Sequence, residues 1–404
     1  MHNKSLTIGV VVDNEFNDDI RVRKEVKVLL SHGYHVKILC LGHPYKKYSN
    51  DLDIEINRLI LPKTLVKLMF LTMNTLPAFC FYWAKAISKF INYHKIDVLH
   101  VHDLYMGLPA RKGISMSRTE IPLILDLHEN YPSVIQSYNW TKGFLRNLVV
   151  QPKLWIRKEK DALYAANYII VLSEHFKNDL LTRYDKLKPD SICVYPNVID
   201  INRFNTFSID INLKRDKRVT FLYFGKVAER RGIYETIDVF KSVISKDYPV
   251  KLLIIGPVDN ADKKTFYSKI DAPEISNSIE YIPWIKVSEL VSYMNISDVC
   301  LSPLLVNPQH ESGVANKLFQ YMYGGKPIIA SNCLPQKELI LKHQCGMIYK
   351  NSNEFEECVI HLTTNPEERL ELGANGKRAL LEIYTPEKID KAFLNLYNTI
   401  SHNQ

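Results

Sequence analysis

Short β-branched runs alternate along this chain with segments whose apolar residues return every three or four positions. The runs Leu6–Val12, His35–Leu41, Asp97–Val101, Pro122–Leu127 and Tyr168–Leu172 predict strands in the first half. In the second half, Val219–Phe224, Val250–Ile255, Ile279–Ile282, Val299–Leu301 and Pro327–Ala330 do the same. Between the first two strands lies Ile20–Ser31, with Val22, Val26, Leu29 and Leu30 at helical spacing. Strands alternating with such helices predict parallel sheets with crossover connections, and each half reads as its own doubly wound α/β unit. A boundary is expected at Tyr195–Asp200, where turn residues follow a strand and the polar stretch Asn205–Lys217 comes next. Doubly wound sheets bind ligands outside the carboxyl ends of their strands. A cleft between two facing units is therefore expected, with its chemistry just after the strands.

Two segments depart from the alternation. Leu65–Ile91 is strongly apolar, but Asn74, Thr75 and Pro77 interrupt it, so the uninterrupted run of about 20 residues that a spanning helix needs is missing. Trp140–Lys160 carries Lys142, Arg146, Lys153, Arg157, Lys158 and Lys160 against the single acid Glu159, interleaved with Leu145, Leu148, Val149, Leu154 and Trp155. Such a basic amphipathic stretch suits an anionic membrane surface, and it equally suits a solvated helix over its own domain.

Composition narrows the function classes. At 404 residues the chain exceeds one ordinary core, and 46% hydrophobic with 24% charged residues is the balance of a globular protein. Seven cysteines without CxxC pairs suggest neither a disulfide framework nor a zinc site, so no metal is expected. The start, Met1–Ser5 running into Leu6–Val12, lacks the apolar length and cleavage site of a signal peptide, and a reducing cytoplasm is the expected compartment. A net charge of +8 suits nucleic acid, anionic lipid or phosphorylated substrates. No nucleic-acid motif accompanies it, so nucleic acid is not an expected partner.

Two strand-to-helix turns carry candidate chemistry. In Phe224–Gly232 (FGKVAERRG), Gly225 and Gly232 permit tight turns, the following helix start offers unpaired N–H groups, and Lys226 and Arg231 add positive charge. That is a place for a diphosphate. In Pro308–Met322, Ser312 and Gly313 read as the start of a helix with apolar Leu318, Phe319 and Met322. Its first amides suit a second anionic group, Lys317 stands nearby, and Gln320 lies one turn on; taken singly, Lys317 and Gln320 read as an exposed helix face. Gly324–Pro327 then ends the helix.

Together the two turns resemble a family-4 retaining glycosyltransferase of the two-Rossmann-domain (GT-B) type, a family using nucleotide-sugar donors without a metal. Its Gly-Arg…Glu-Lys-Gly loop matches the segment in which Lys226 and Arg231 occupy the two basic positions. Its Glu-x7-Glu motif falls on Ser312 and Gln320, with Glu311 beside the first, so one of Glu311 and Ser312 is expected at the donor sugar and Gln320 at the ribose hydroxyls. Gly225, Gly313, Val314 and Lys317 complete the donor-binding expectation, and Tyr281 with Trp284, just after a strand, are expected near the base. Asp19–Val22 with Glu25, Asp97–Asp103, Leu125–Glu129 and Gly373–Arg378 extend the resemblance over nearly the whole chain. It implies an acceptor domain over 1–196, a donor domain over 197–385 and a helix in 386–404 crossing back to the first domain.

The resemblance also implies a role for His128, which follows a strand end at the place of a family histidine near the donor sugar, with Asp126 or Glu129 setting its tautomer. His102 and Asp103 are acceptor-side candidates. So are Asp13 and Asn14, which stand where the family has a glycine-rich turn. The implied activity moves a hexose-type sugar with retention from a UDP- or GDP-linked donor, with no other cofactor, to a saccharide or lipid-linked acceptor in cell-surface glycan assembly. Rival readings are a sugar-nucleotide epimerase of the same architecture and a non-catalytic sugar-nucleotide-binding scaffold. Oligomeric state is not legible.

Overall fold

The computed structural model describes residues 6–73, 76–137 and 154–402. The chain divides into two compact units, Met1–Pro196 with Asp390–Gln404, and Asn197–Ile389.

In the first unit, β1 (Thr7–Val11), β2 (His35–Gly42), β3 (Glu55–Ile60), β4 (Val98–His102), β5 (Leu123–Asp126), β6 (Tyr168–Val171) and β7 (Ile192–Val194) form one sheet. Its order is β3-β2-β1-β4-β5-β6-β7, and every pairing is parallel. β3 and β7 were not expected from the pattern. Both are edge strands; β3 (Glu-Ile-Asn-Arg-Leu-Ile) is only partly buried and β7 has three residues, so neither shows the continuous apolar run of a strand covered on both faces.

The helix Ile20–Ser31 follows β1; Asp19 caps it, accepting the Val22 N–H at 3.0 Å. Leu65–Ile91 resolves into the helices Lys63–Thr72 and Ala78–His94, the second starting after Pro77. The second buries Phe79, Trp83, Ile87 and Ile91 in the core, whereas the first buries no residue. Among the described residues no helix is long and apolar enough to cross a membrane. The basic segment Trp140–Lys160 lies largely outside the described residues; from Leu154 it forms the start of the helix Leu154–Ala165, with Trp155 buried.

The C-terminal helix Pro386–His402 repeats its buried residues Asp390, Phe393, Tyr397 and Ile400 at helical spacing. Asp390 accepts the Tyr195 hydroxyl at 2.7 Å, Phe393 stacks on Tyr195, and the Tyr397 hydroxyl meets His100 Nδ1 at 2.8 Å. These contacts fasten the helix to the first unit.

In the second unit, β8 (Val219–Phe224), β9 (Val250–Ile255), β10 (Ile279–Ile282), β11 (Val299–Ser302), β12 (Ile328–Ser331) and β13 (Gly346–Tyr349) run in the order β10-β9-β8-β11-β12-β13. β13, another short edge strand, was also not expected. In both sheets the strand order reverses beside the first strand, between β1 and β4 and between β8 and β11. These are the topological switch points where a doubly wound sheet opens a crevice at its carboxyl edge.

Candidate active site

At the second switch point the register aligns Tyr223 with Leu301, Phe224 with Ile255 and Ile255 with Ile282, so the loops after β8, β9, β10 and β11 leave one edge together. Gly232, at φ 74°, ends the first of these loops and caps the helix Ile233–Ser245; a Cβ there would lie 1.6 Å from the Pro303 carbonyl oxygen. Only glycine lets the β8 and β11 loops approach this closely. The Leu305 N–H donates to the Arg230 carbonyl across the same approach.

Lys226, Arg230 and Arg231 stand on the loop after β8, and Lys317 stands on the helix that follows the β11 loop. Lys226 follows Gly225 and pairs with Asp259 at 2.9 Å, half-exposed. Arg231 closes the turn Glu229–Arg231 directly before Gly232. Lys317, in the first turn of the helix Asn316–Tyr323, donates to the Leu301 carbonyl at 3.3 Å and lies 4.6 Å over the Tyr223 ring. Burial first, and then the charge of Arg231, push the Lys317 ammonium down to about 7. Among the described residues no carboxylate pairs with it. The sequence did not single out His310, which is buried and whose Nδ1 meets the Leu305 carbonyl at 2.7 Å; burial, followed by neighbouring cations, pushes its imidazole down to about 4.

The expectation that Ser312 and Gly313 open the helix is corrected. Ala315 is extended (φ −63°, ψ 128°) and the helix begins at Asn316, so Glu311, Ser312, Gly313 and Val314 lie in the preceding loop. The Ser312 hydroxyl donates to the Gln309 carbonyl at 2.8 Å, and the Glu311 carboxylate lies 3.5 Å from the Leu334 N–H at the start of the helix Leu334–His343. Gln320 is buried and Lys317 partly so, which corrects their reading as an exposed face. Tyr281, on β10, donates to the Gly256 carbonyl at 3.2 Å, and Trp284, two residues beyond that strand, is 65% exposed.

The first switch point carries the opposite charge. Asp13 follows β1, Asp103 follows β4, and the Tyr105 hydroxyl lies 2.9 Å from one carboxylate and 3.2 Å from the other. Burial pushes Asp13 up to about 6, and burial together with the charge of Asp13 raises Asp103 well above the usual carboxylate range. Asp103 holds φ at 71°, a conformation that costs a non-glycine residue energy. Asn14 is exposed and donates to Asp19 at 2.7 Å. Asp13, Asn14, Glu15, Asp18, His43 and Val66 line a cavity of about 540 Å³.

Behind this edge is a buried cluster. Arg21 Nη2 donates to both oxygens of Asp126, at 2.8 and 3.0 Å, and its Nε lies 3.1 Å from Glu25. His128 Nε2 lies 3.0 Å from His102 Nδ1, while Asp126 stands 3.9 Å from the same His128 nitrogen. His102 therefore lies nearer to His128 than does Asp126, one of the two expected partners. His102 is 1% exposed, which corrects its placement on the acceptor side: its ring is packed in the cluster and has no open face. Glu25, His100, His102 and Asp126 bring ligand-type atoms within 4.8 Å of one another, but Arg21 already supplies a counter-charge to both carboxylates.

Comparison with known sequences decides the family. The Glycosyltransferase Family 4 profile matches residues 20–203, and the Glycosyl transferases group 1 profile matches residues 204–379. The chain belongs to the group 1, family 4 glycosyltransferases. The chain is 25% identical over 254 residues to the capsular polysaccharide biosynthesis glycosyltransferase CapM of Staphylococcus aureus, a match spanning 60% of this chain and 64% of that protein. It is 23% identical over 320 residues to the alpha-monoglucosyldiacylglycerol synthase of Acholeplasma laidlawii, covering 75% of each. Its fold is that of the sucrose-phosphate synthase of Thermosynechococcus elongatus, at a TM-score of 0.77 and 16% identity over 99% of this chain and 100% of the other.

Proposed function

We propose that the transferase moves a hexose-type sugar, with retention of anomeric configuration, from a nucleoside-diphosphate donor to a saccharide or lipid-linked acceptor in cell-surface glycan assembly. The observation that carries this reading is Lys317, a cation without a carboxylate partner among the described residues, set beside Arg231 at the switch point of the second sheet. A diphosphate supplies the missing counter-charge and favours the charged form of Lys317. As the bond from the sugar to the phosphate breaks, negative charge grows on the departing oxygen. Preorganised cations and helix amides stabilise it, each well-placed donor contributing about 2.7–4 kcal/mol. Lys226, Arg231 and Lys317 take that role here, so the chemistry asks for no metal. The anomeric carbon gains oxocarbenium character meanwhile, and the departing phosphate takes the acceptor proton on the same face.

Gln320 is assigned to the ribose, Tyr281 and Trp284 to the base, and His128 to the donor sugar. The cavity beside Asp13 and Asn14 is assigned to acceptor hydroxyls. The apolar side chains of Leu65, Leu68, Leu71, Leu76 and Phe81 are all exposed, and Lys63 and Lys67 stand among them. This supports an anionic membrane surface as a partner and with it a lipid-linked acceptor.

Incubation with a panel of radiolabelled UDP- and GDP-sugars, with and without membrane extract, tests the reading. Transfer from one donor, a product of unchanged anomeric configuration by NMR, and activity that survives EDTA are expected. Donor turnover that needs no acceptor would instead favour an epimerase, and binding without turnover a scaffold.

A further inference from the structure

The basic edge of the second sheet also carries an acid. Lys226 follows β8 and Asp259 follows β9, and the backbone extends the pairing of these two strands into their loops. The Val227 N–H donates to the Pro257 carbonyl at 3.0 Å and the Asp259 N–H to the Val227 carbonyl at 2.8 Å. The Tyr223 hydroxyl donates to the Lys226 carbonyl at 2.7 Å. Both main chains are therefore held without the two charged side chains. Across that frame the Lys226 ammonium meets the Asp259 carboxylate at 2.9 Å. The hydrogen bond from Lys226, and then the charges of Lys226 and Arg230, hold the carboxyl below the usual carboxylate range against the opposing effect of burial, so Asp259 is an anion at neutral pH.

An ammonium has three donors, and this carboxylate takes one of them. With the Lys226 side chain 46% exposed, a phosphate reaches the remaining donors while Asp259 stays in place. A phosphate oxygen hydrogen-bonded to the same ammonium stands within about 6 Å of the carboxylate, closer than the screening length of physiological salt. Asp259 therefore repels what Lys226 attracts, and the repulsion grows with the charge of the ligand. In a sugar-bearing donor each phosphate carries a single charge. When the bond from the sugar to the terminal phosphate breaks, that phosphate keeps the bonding pair; the acceptor proton it takes up leaves to solvent above a second pKa of about 6. The nucleoside diphosphate left behind carries one more negative charge than the donor, and the cations of this edge hold it the more firmly. An anion at the same edge opposes that preference.

We propose that Asp259 is a specificity-determining residue that loosens the hold of the basic edge on the nucleoside diphosphate product more than on the sugar-bearing donor, and so keeps the product from displacing the donor. This rests on the reading of the diphosphate beside Lys226. The role differs from positioning Lys226, whose main chain Tyr223 and the loop after β9 already fix.

Asp259→Asn removes the charge and keeps an oxygen that accepts from Lys226, whereas Asp259→Glu keeps the charge. The full chain and both variants are titrated by calorimetry at about pH 8, where the terminal phosphate is fully ionised, with UDP, with GDP and with the nucleotide sugar that the radiolabelled panel selects. In Asp259→Asn the affinity for the nucleoside diphosphate is expected to rise about fivefold and that for the nucleotide sugar about twofold, with values near wild type in Asp259→Glu. Product inhibition of transfer should set in at about fivefold lower nucleoside diphosphate in Asp259→Asn, and both gains should shrink in about 1 M salt. No gain, equal gains for product and donor, or the same gain in Asp259→Glu would overturn the inference. Weaker binding in Asp259→Asn would also overturn it and make Asp259 a positioning residue for Lys226. Lys226→Met separates this from the reading beneath it. If both ligands bind Lys226→Met as they bind the wild type, the diphosphate does not lie beside Lys226 and both fall; if they bind it more weakly while Asp259→Asn brings no gain, the diphosphate reading stands and the role of Asp259 alone falls.

Discussion

The carboxyl edges of the two sheets share one topology and differ in charge. At the β1/β4 switch point Asp13 and Asp103 flank Tyr105, and burial holds both carboxyls above their usual range. At the β8/β11 switch point Lys317 lies beside Arg231 and is held below the usual range of an ammonium. Each edge keeps groups that are costly to ionise without a ligand, and the sign of the cost differs. A fold whose backbone offers the same crevice twice thus acquires one edge suited to an anion and one suited to hydroxyls, through which side chains follow the strands.

Substitutions at the basic edge carry the largest expected effects. Arg231→Ala is expected to lower the transfer rate about 100-fold or more, and Lys226→Ala less, since Lys226 is half-exposed and already shares Asp259. Transfer that survived both changes together, measured with radiolabelled donor, would break the comparison outright. Gly232→Ala drives a Cβ into the Pro303 carbonyl at a positive φ, and is expected to lower Tm by several degrees and to disturb the loop after β8.

Lys317→Met is expected to weaken nucleoside diphosphate binding about tenfold in calorimetry. The wild type should take up a proton on binding, because the anion raises an ammonium that otherwise titrates at about 7. Its affinity should therefore fall as pH rises from 7 toward 9, and Lys317→Met should remove that slope.

The smallest effect is expected at the acidic edge. Asp13 titrates at about 6 in the folded chain against an ordinary 3.8, so the folded state holds more protons between these values and loses stability as pH rises through them. Asp13→Asn should raise Tm by a few degrees above pH 6 and leave it unchanged near pH 4. A gain that persisted at pH 4 would mean that burial of Asp13 carries no such cost.

Both doubly wound units were legible because local periodicity and continuous apolar runs encode helices and covered strands. The edge strands β3, β7 and β13 were not: they are short or half-wet, and what makes them strands is the neighbour they pair with. Lys226 and Arg231 were readable as cations between glycines, because a strand-to-helix turn is a local object. The lowered ammonium of Lys317 was not, since it depends on burial and then on Arg231 arriving from elsewhere in the chain.

The same distinction separates His128 from its support. The residues before and after it suggested Asp126 or Glu129 as its partner, both within two positions. The strand order β1-β4-β5 instead sets His102 against it and brings Arg21 onto Asp126 from 105 residues away. The sequence alone determined the covered strands, the fold class and the residue types at the strand ends. Only the tertiary structure decided which of those residues are dry and which stand against one another, because burial and pairing belong to neighbours in space.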